Sequence, residues 1–442
     1  QGVSSAASDV YKRQVMIQEL RIKNFLSFKD EVKFSFEASD DKFAEDSQVV
    51  KVNDNTRLLR FAIVYGYNAS GKSNLLKAIE FLSNFWFTSR KDLDEKTDNI
   101  PFKLDQKSQK EHTIFDLVFF VEETKYSYHL ELDESSVYYE KLSYYKSTQP
   151  TMLFDRKLEN EQSVITFNPV LKVSSVVKER ITVTCLKNMS FFAARNQVNV
   201  SIPLIDAAKD WMRKSMMQNI TPVTDLSLYA KKELSVNKSI AGYILNFLKE
   251  ADFNITNINT DESEEPLPAD MKSALLLIEG LPDKVKERLK TETSIKQIIA
   301  NFEHTVENDN GIETYMMSSE NGEESRGTMR TFGIETALYN VLNNNSFLAI
   351  DEIETSLHPK LLEKILFEYL KSHSKSQILV TTHNDGLLDL VDDLIRKDSV
   401  WFTEKEKSGI TELYKLTDFK GINRLSSIRE AYRNKRFGAT MK

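Results

Sequence analysis

The sequence predicts an α/β fold around a parallel sheet, with an antiparallel β part and a mainly helical insertion. Three observations carry this. A short apolar run, Arg60–Val64, passes through a glycine loop into helix-like residues from Lys72 to Phe85. Further on, Phe347–Ile350, Lys360–Lys371 and Gln377–Thr381 read as strand, helix and strand. Alternating strands and helices of this kind build parallel sheets. Finally, Ile114–Tyr145 alternates apolar and polar residues (IFDLVFFV, KYSYHLEL, VYYEKLSYY), the pattern of an antiparallel meander.

In chain order, Gln1–Gln14 has no apolar core and is no signal peptide. It resembles a translated adapter, so a non-native or disordered tail is expected, with Met16 as the native start. Residues 15–200 are expected to form the first part of the main domain. Within them Met16–Phe25 and Phe28–Phe36 alternate as half-buried strands do. Residues 201–302 are the expected helical insertion. Ile205, Ala208, Met212 and Met216 recur at helical spacing there, as do Ile240, Ile244 and Phe247. Thr260–Asp270, acidic and with two prolines, is expected to be an exposed loop. Residues 303–442 complete the main domain, with a strand at Gly311–Met317, a helix at Thr328–Leu342 and a basic tail.

Composition bounds the function classes. The chain has 442 residues, 40% apolar and 28% charged, as ordinary globular proteins do. With 59 basic and 66 acidic residues, a net charge of −7 does not suit a dedicated nucleic-acid binder. No apolar run approaches the ~20 residues of a membrane helix, so no membrane contact is expected. One cysteine, Cys185, excludes an internal disulfide framework and a Cys-rich zinc site. A cytoplasmic location is the simplest expectation.

Gly66-Tyr67-Asn68-Ala69-Ser70-Gly71-Lys72-Ser73 matches G-x-x-x-x-G-K-[ST] in full, between a buried strand and a helix. The glycines let backbone N–H groups turn around a phosphate, and the helix N-terminus adds partial positive charge. Lys72 is placed for the β/γ-phosphates and Ser73 for Mg²⁺. Gly66, Asn68, Ala69, Ser70, Gly71, Lys72, Ser73 and Asn74 are therefore the expected ATP contacts. The run Ser346–Glu352 (SFLAIDE) ends a short strand in two acids. Asp351 suits the Mg²⁺ shell and Glu352 suits polarising a water. His383 ends the next buried strand, where it suits the γ-phosphate or the attacking water. Glu324–Arg330 precedes a helix; Ser325 can cap it and Gly327 permits close approach of a ligand.

Taken together, these segments resemble the head of ABC-type (P-loop) ATPases of the SMC-like and OLD-like kind. Asn24-Phe25-Leu26-Ser27-Phe28, Glu324-Ser325-x-Gly327-Thr328-x-Arg330 and Asp351-Glu352-x-Glu354-x-Ser356-Leu357-His358-Pro359 resemble stand-alone AAA family ATPases of bacterial antiphage defence. The RloA and AbiLi type is the most similar, with the ATPase subunits of PARIS (AriA) and Septu (PtuA) as relatives. The resemblance implies a homodimer or larger homo-oligomer in which two subunits sandwich ATP. Ser325, Gly327 and Thr328 would then meet the γ-phosphate of the other subunit's ATP. Ser356–Pro359 would cross the interface, Glu352 would be the hydrolytic glutamate and His383 the switch histidine. The signature reads Ser-Arg-Gly-Thr where transporters have Ser-Gly-Gly-Gln, which argues against a transport ATPase. Gln197 is the candidate for the glutamine loop by position alone.

The implied function is an ATPase sensor and switch in an abortive-infection system, controlling a separate nuclease or toxin effector, Toprim-like for example. DNA or a phage protein would be the trigger. The stretch after His383 is too short for the Toprim domain of OLD nucleases, and Asp92–Asp94 reads as a solvated turn. A DNA-repair or DNA-clamping ATPase of the SMC kind is the alternative. It would need a long heptad coiled coil, which Pro222, Pro266, Pro268 and Pro282 interrupt. A nucleotide-binding scaffold without turnover is a third reading.

Overall fold

The computed structural model describes residues 15–251, 254–277, 283–309, 311–320 and 322–440; the expected tail at 1–14 lies outside them. The chain divides into two compact units. One holds the residues up to 222 with 340–355 and 365–442; the other holds 223–339 and 356–364.

The first unit is built on two large sheets, beside a two-stranded ribbon of Val49–Asn53 and Thr56–Leu59. Phe61–Tyr65, Phe347–Ile350, Gln377–Thr382 and Val400–Lys405 are parallel, and Thr411–Lys415 closes one edge antiparallel. The strand Phe61–Tyr65 lies third in the order, between Gln377–Thr382 and Val400–Lys405. Every residue of the first three strands is buried, as expected for a parallel sheet covered on both faces. The second sheet has seven antiparallel strands. Thr113–Val121, Thr124–Leu132 and Val137–Tyr145 form the predicted meander. A further hairpin, Pro150–Glu159 with Gln162–Phe167, extends it on one side, and Val15–Lys23 with Val32–Ser35 on the other. The expected strand Phe28–Phe36 is shorter, because Phe25 and Phe28 bridge back on each other in a tight turn.

Aromatic rings join the two sheets. Phe34 meets Trp401 at 5.1 Å and Phe36 meets Phe347 at 6.2 Å between centroids. Gln377 is fully buried and spends its amide across the same seam. Its Nε2 donates to the carbonyls of Ile17 and Leu59, each at 3.0 Å, and its Oε1 accepts from Ile17 N–H at 2.7 Å. The helix Pro203–Ser215 falls within the expected insertion range but packs in this unit. Its Trp211 stacks on Phe119 at 3.9 Å.

The second unit carries helices Leu226–Val236 and Lys238–Glu250 and a three-stranded antiparallel sheet, Ile255–Pro266, Ser294–Asn308 and Gly311–Ser318. Ile240, Ile244, Phe247 and Leu248 are buried, so the helical periodicity marks a real packing face. The expected exposed loop at Thr260–Asp270 is instead strand as far as Pro266. Composition gave no sign of the cross-strand partners that accept its acids. Asn301 donates to Asp261 at 2.7 Å, Ser294 to Glu264 at 2.6 Å, and Lys296 pairs with Glu262 at 3.9 Å.

Cys185 ends the helix Ser175–Thr184 and is 3% exposed. Burial pushes its thiol up to about 11, so little reactive thiolate forms near neutrality. A disulfide thiol reagent at pH 8 is expected to release no prompt colour from the native protein and one equivalent per chain after denaturation. Prompt reaction of the native thiol would contradict the packing described. Among the described residues, no helix is long and apolar enough to cross a membrane.

Candidate functional site

The phosphate loop lies between the buried strand Phe61–Tyr65 and the helix Lys72–Phe85. That helix buries Leu75, Leu76, Ala78, Ile79 and Leu82, which fixes its N-terminus at the end of the sheet. The two motif glycines are required by space. A Cβ on Gly66 would lie 2.4 Å from Ser70 Oγ and 2.5 Å from Thr403 Oγ1. Gly71 has φ +110°, and a Cβ there would meet Thr411 Oγ1 at 2.4 Å. Asn68 and Ala69 are exposed at the tip, Ser70 is fully buried, and Ser73 and Asn74 are half-buried.

Residues outside the motif brace this loop. Ser70 Oγ and Thr403 Oγ1 share a hydrogen bond of 2.7 Å. Thr411 Oγ1 donates to Ser70 O at 2.9 Å. Asn74 Nδ2 donates to Ser27 Oγ at 2.6 Å, which ties the first helical turn to the Asn24–Phe28 segment. Thr403, Thr411 and Ser27 come from distant parts of the chain, so no local motif could have flagged their pairing with the loop.

Lys72 is 5% exposed, and its Nζ donates to the carbonyls of Gly66 at 2.8 Å and Tyr67 at 3.2 Å. The ammonium is thus held inside the loop's curve. Burial pulls its pKa below the ordinary lysine value, while the charges of Glu352, Asp351 and Glu354 push it back up. The charges of those three acids thus bear on the ammonium inside the loop.

Asp351 and Glu352 follow the strand Phe347–Ile350. Thr381 Oγ1 serves both: it donates to Asp351 Oδ1 at 2.5 Å and accepts from Glu352 N–H at 2.8 Å. Asp351 N–H donates to Ile220 O at 2.7 Å. Glu352 has φ +46°, a left-handed backbone that costs about 1–3 kcal/mol and that the surrounding hydrogen bonds hold in place. His383 ends the neighbouring strand. Its Nδ1 lies 2.8 Å from Glu354 Oε1, and its backbone N–H donates to that same oxygen at 2.8 Å. The loop, the acids and the histidine thus share the first unit, on adjacent strands of one sheet. Thr381 and Glu354 touch the candidate acids and histidine, and neither has a role in the sequence reading.

The signature residues lie in the second unit. Ser325 Oγ accepts from Thr328 N–H at 3.0 Å and meets Thr328 Oγ1 at 2.8 Å, so Ser325 caps the helix Arg326–Asn344 as expected. A Cβ on Gly327 would lie 3.2 Å from Ser356 O. The fold uses this close approach to seat the Ser356–Pro359 loop beside the signature. Glu324 is fixed by His304 Nε2 at 2.5 Å. Gln197 is exposed in a turn whose backbone N–H donates to Ala194 O. In the basic tail, Arg429 pairs with Asp385 and Asp389, and Arg433 with Asp385. Part of that charge is thus spent within the chain. Asp92 accepts from Asp94 N–H in an exposed turn. Among the described residues no group of three or more His, Cys, Asp or Glu side chains has metal-site geometry.

The family described as "AAA domain, putative AbiEii toxin, Type IV TA system" matches residues 61–182 and 208–389, well over half of the chain. The chain belongs to this family. Its matched span includes the phosphate loop, the signature, the acidic pair and His383. Among solved structures, the SMC head domain from Thermotoga maritima is similar at 13% identity and a TM-score of 0.39, covering 90% of this chain and 98% of that one. An SMC head bound to the C-winged helix domain of ScpA is similar at 12% identity and a TM-score of 0.40, covering 94% and 99%. No curated protein matches the chain.

Proposed function

We propose that this protein binds ATP and hydrolyses it to ADP and phosphate, and acts as the sensor and switch subunit of an antiphage defence system. The observation that carries the reading is the braced phosphate loop, with the buried ammonium of Lys72 inside it and three carboxylates in electrostatic reach. A triphosphate is the ligand that such a loop suits. It offers negative charge to Lys72 and to the N-terminus of Lys72–Phe85, where the lysine now makes do with two carbonyls.

Gly66, Asn68, Ala69, Ser70, Gly71 and Asn74 would line the phosphates. The donor set also fits a divalent cation: the Ser73 hydroxyl in the first helical turn and Asp351, oriented by Thr381, are hard oxygen ligands. Mg²⁺ held there would neutralise charge on the phosphates. Glu352 would orient and polarise the attacking water, and His383 would hydrogen-bond the γ-phosphate. Ser325, Gly327 and Thr328 would complete the site of a second copy, so that ATP closes a homodimer or a larger assembly. That closure would control a separate effector, a nuclease or toxin.

The test is phosphate release from the purified protein with Mg²⁺ and ATP, measured with and without DNA, beside light scattering for the assembly state. Turnover with ATP-dependent association is expected. Binding without turnover would leave a scaffold. Turnover that requires DNA, with an affinity falling steeply with salt, would favour a DNA-clamping ATPase.

A further inference from the structure

We propose that Glu354 is the positioning residue of His383, holding the imidazole in one tautomer so that Nε2 faces the reacting phosphate. This rests on the nucleotide reading above.

His383 needs such a partner. Its side chain is 51% exposed, and an imidazole half in water is free to turn and to exchange tautomers. Glu354 is only 12% exposed, and one of its oxygens takes both the backbone N–H and the Nδ1 of the same histidine, each at 2.8 Å. A carboxylate only accepts, so Nδ1 carries the proton and Nε2 is left to the site. Two bonds to one oxygen fix the ring and its strand end together.

The turn that presents Glu354 is itself locked. Glu352 takes the left-handed backbone, Ile353 is buried and its N–H donates to Thr381 O at 3.1 Å, and Thr355 N–H returns to Glu352 O at 2.9 Å. The second oxygen of Glu354, Oε2, is buried and has no hydrogen-bond partner. The hydroxyl of Tyr65, on the phosphate-loop strand, is also buried without one. The charge of Glu354 reaches both Lys72 and Tyr65, so it belongs to the site electrostatically as well. A carboxylate behind a functional histidine is a recurring way to fix its tautomer.

The full-length chain tests this with Glu354→Ala and Glu354→Gln, read by kcat, by ATP affinity and by nitrogen-15 NMR of labelled histidine at pH 8. His383→Ala assigns the resonance. Glu354→Ala is expected to lower kcat about 10–100-fold, the size of the loss seen when a metal-ligating histidine loses its carboxylate partner. ATP affinity should stay unchanged, and the His383 signal should leave the Nδ1–H tautomer. Glu354→Gln keeps an acceptor for Nδ1 and should restore most of the rate. An unchanged tautomer in Glu354→Ala, or an unchanged kcat, overturns the proposal. Failure of the nucleotide reading looks different: Lys72→Ala would then hydrolyse ATP normally, while the tautomer signal would still decide whether Glu354 holds His383.

Discussion

Glu352→Gln is expected to bind ATP normally and to lose about 10²–10⁴-fold in turnover, the usual contribution of a positioned general base. The amide keeps the size and hydrogen-bonding reach of the side chain but cannot take a proton. The backbone that presents it is independent of that exchange: Glu352 N–H is held by Thr381 Oγ1 at 2.8 Å. Trapped ATP should also lengthen the life of any ATP-closed assembly, visible as a stable larger species in light scattering. Lys72→Ala should act differently. It removes the one ammonium inside the phosphate loop, so binding itself should be lost, and turnover with it. Fluorescent-nucleotide titration beside phosphate release separates the two effects. Wild-type turnover by Glu352→Gln would remove that residue from the mechanism.

Glu140→Ala is expected to destabilise the protein by about 3–5 kcal/mol, the cost of stranding one member of a buried ion pair. Glu140 and Arg156 are both fully buried and meet at 2.9 Å. Glu140 also accepts from Tyr128 OH at 2.9 Å, Ser190 Oγ at 2.8 Å and Phe191 N–H at 2.8 Å. Arg156 also donates to the carbonyls of Met189 and Leu186 and to Ser163 Oγ. The pair therefore pins the segment before the helix Phe191–Arg195, whose Phe191 stacks on Phe154 and whose Phe192 stacks on Trp86. Removing Glu140 leaves a guanidinium buried without its counter-charge, and two hydroxyls and an amide without this acceptor. Chemical denaturation measures the change. The double variant Glu140→Met with Arg156→Met should recover much of the loss, because no charge is then stranded. A midpoint unchanged in Glu140→Ala would show that the pair contributes nothing.

The parts of the site that could be read from sequence are those made by neighbours in the chain. Gly66 to Ser73 shape their own backbone, and an apolar strand before them with an amphipathic helix after them needs no distant information. The acids at 351 and 352 and His383 were legible for the same reason: each ends a short apolar run. Thr381 closes the predicted strand Gln377–Thr381, and nothing local to it points to a partner. Its bonds to Asp351 and Glu352 exist only because Phe347–Ile350 and Gln377–Thr382 pair in parallel register. The partners of Ser27, Thr403 and Thr411 are likewise out of a segment's reach, since sheet and loop bring them to residues 47 or more positions away. Thr260–Asp270 reads as a loop although residues 260–266 are strand, because its net charge is visible in sequence and its cross-strand partners are not.

By itself, then, the sequence determined the α/β class, the meander, the phosphate loop and the strand ends where chemistry can sit. These depend on periodicity and on local backbone geometry, which short segments carry whole. The tertiary structure alone decided which acid serves which partner. It put Asp351 and Glu352 on Thr381, Glu354 behind His383, Ser356 against Gly327, and the arginines at 429 and 433 onto Asp385. Those pairings arise from strand register at 351, 352 and 381 and from loop and helix packing elsewhere, which no single segment encodes.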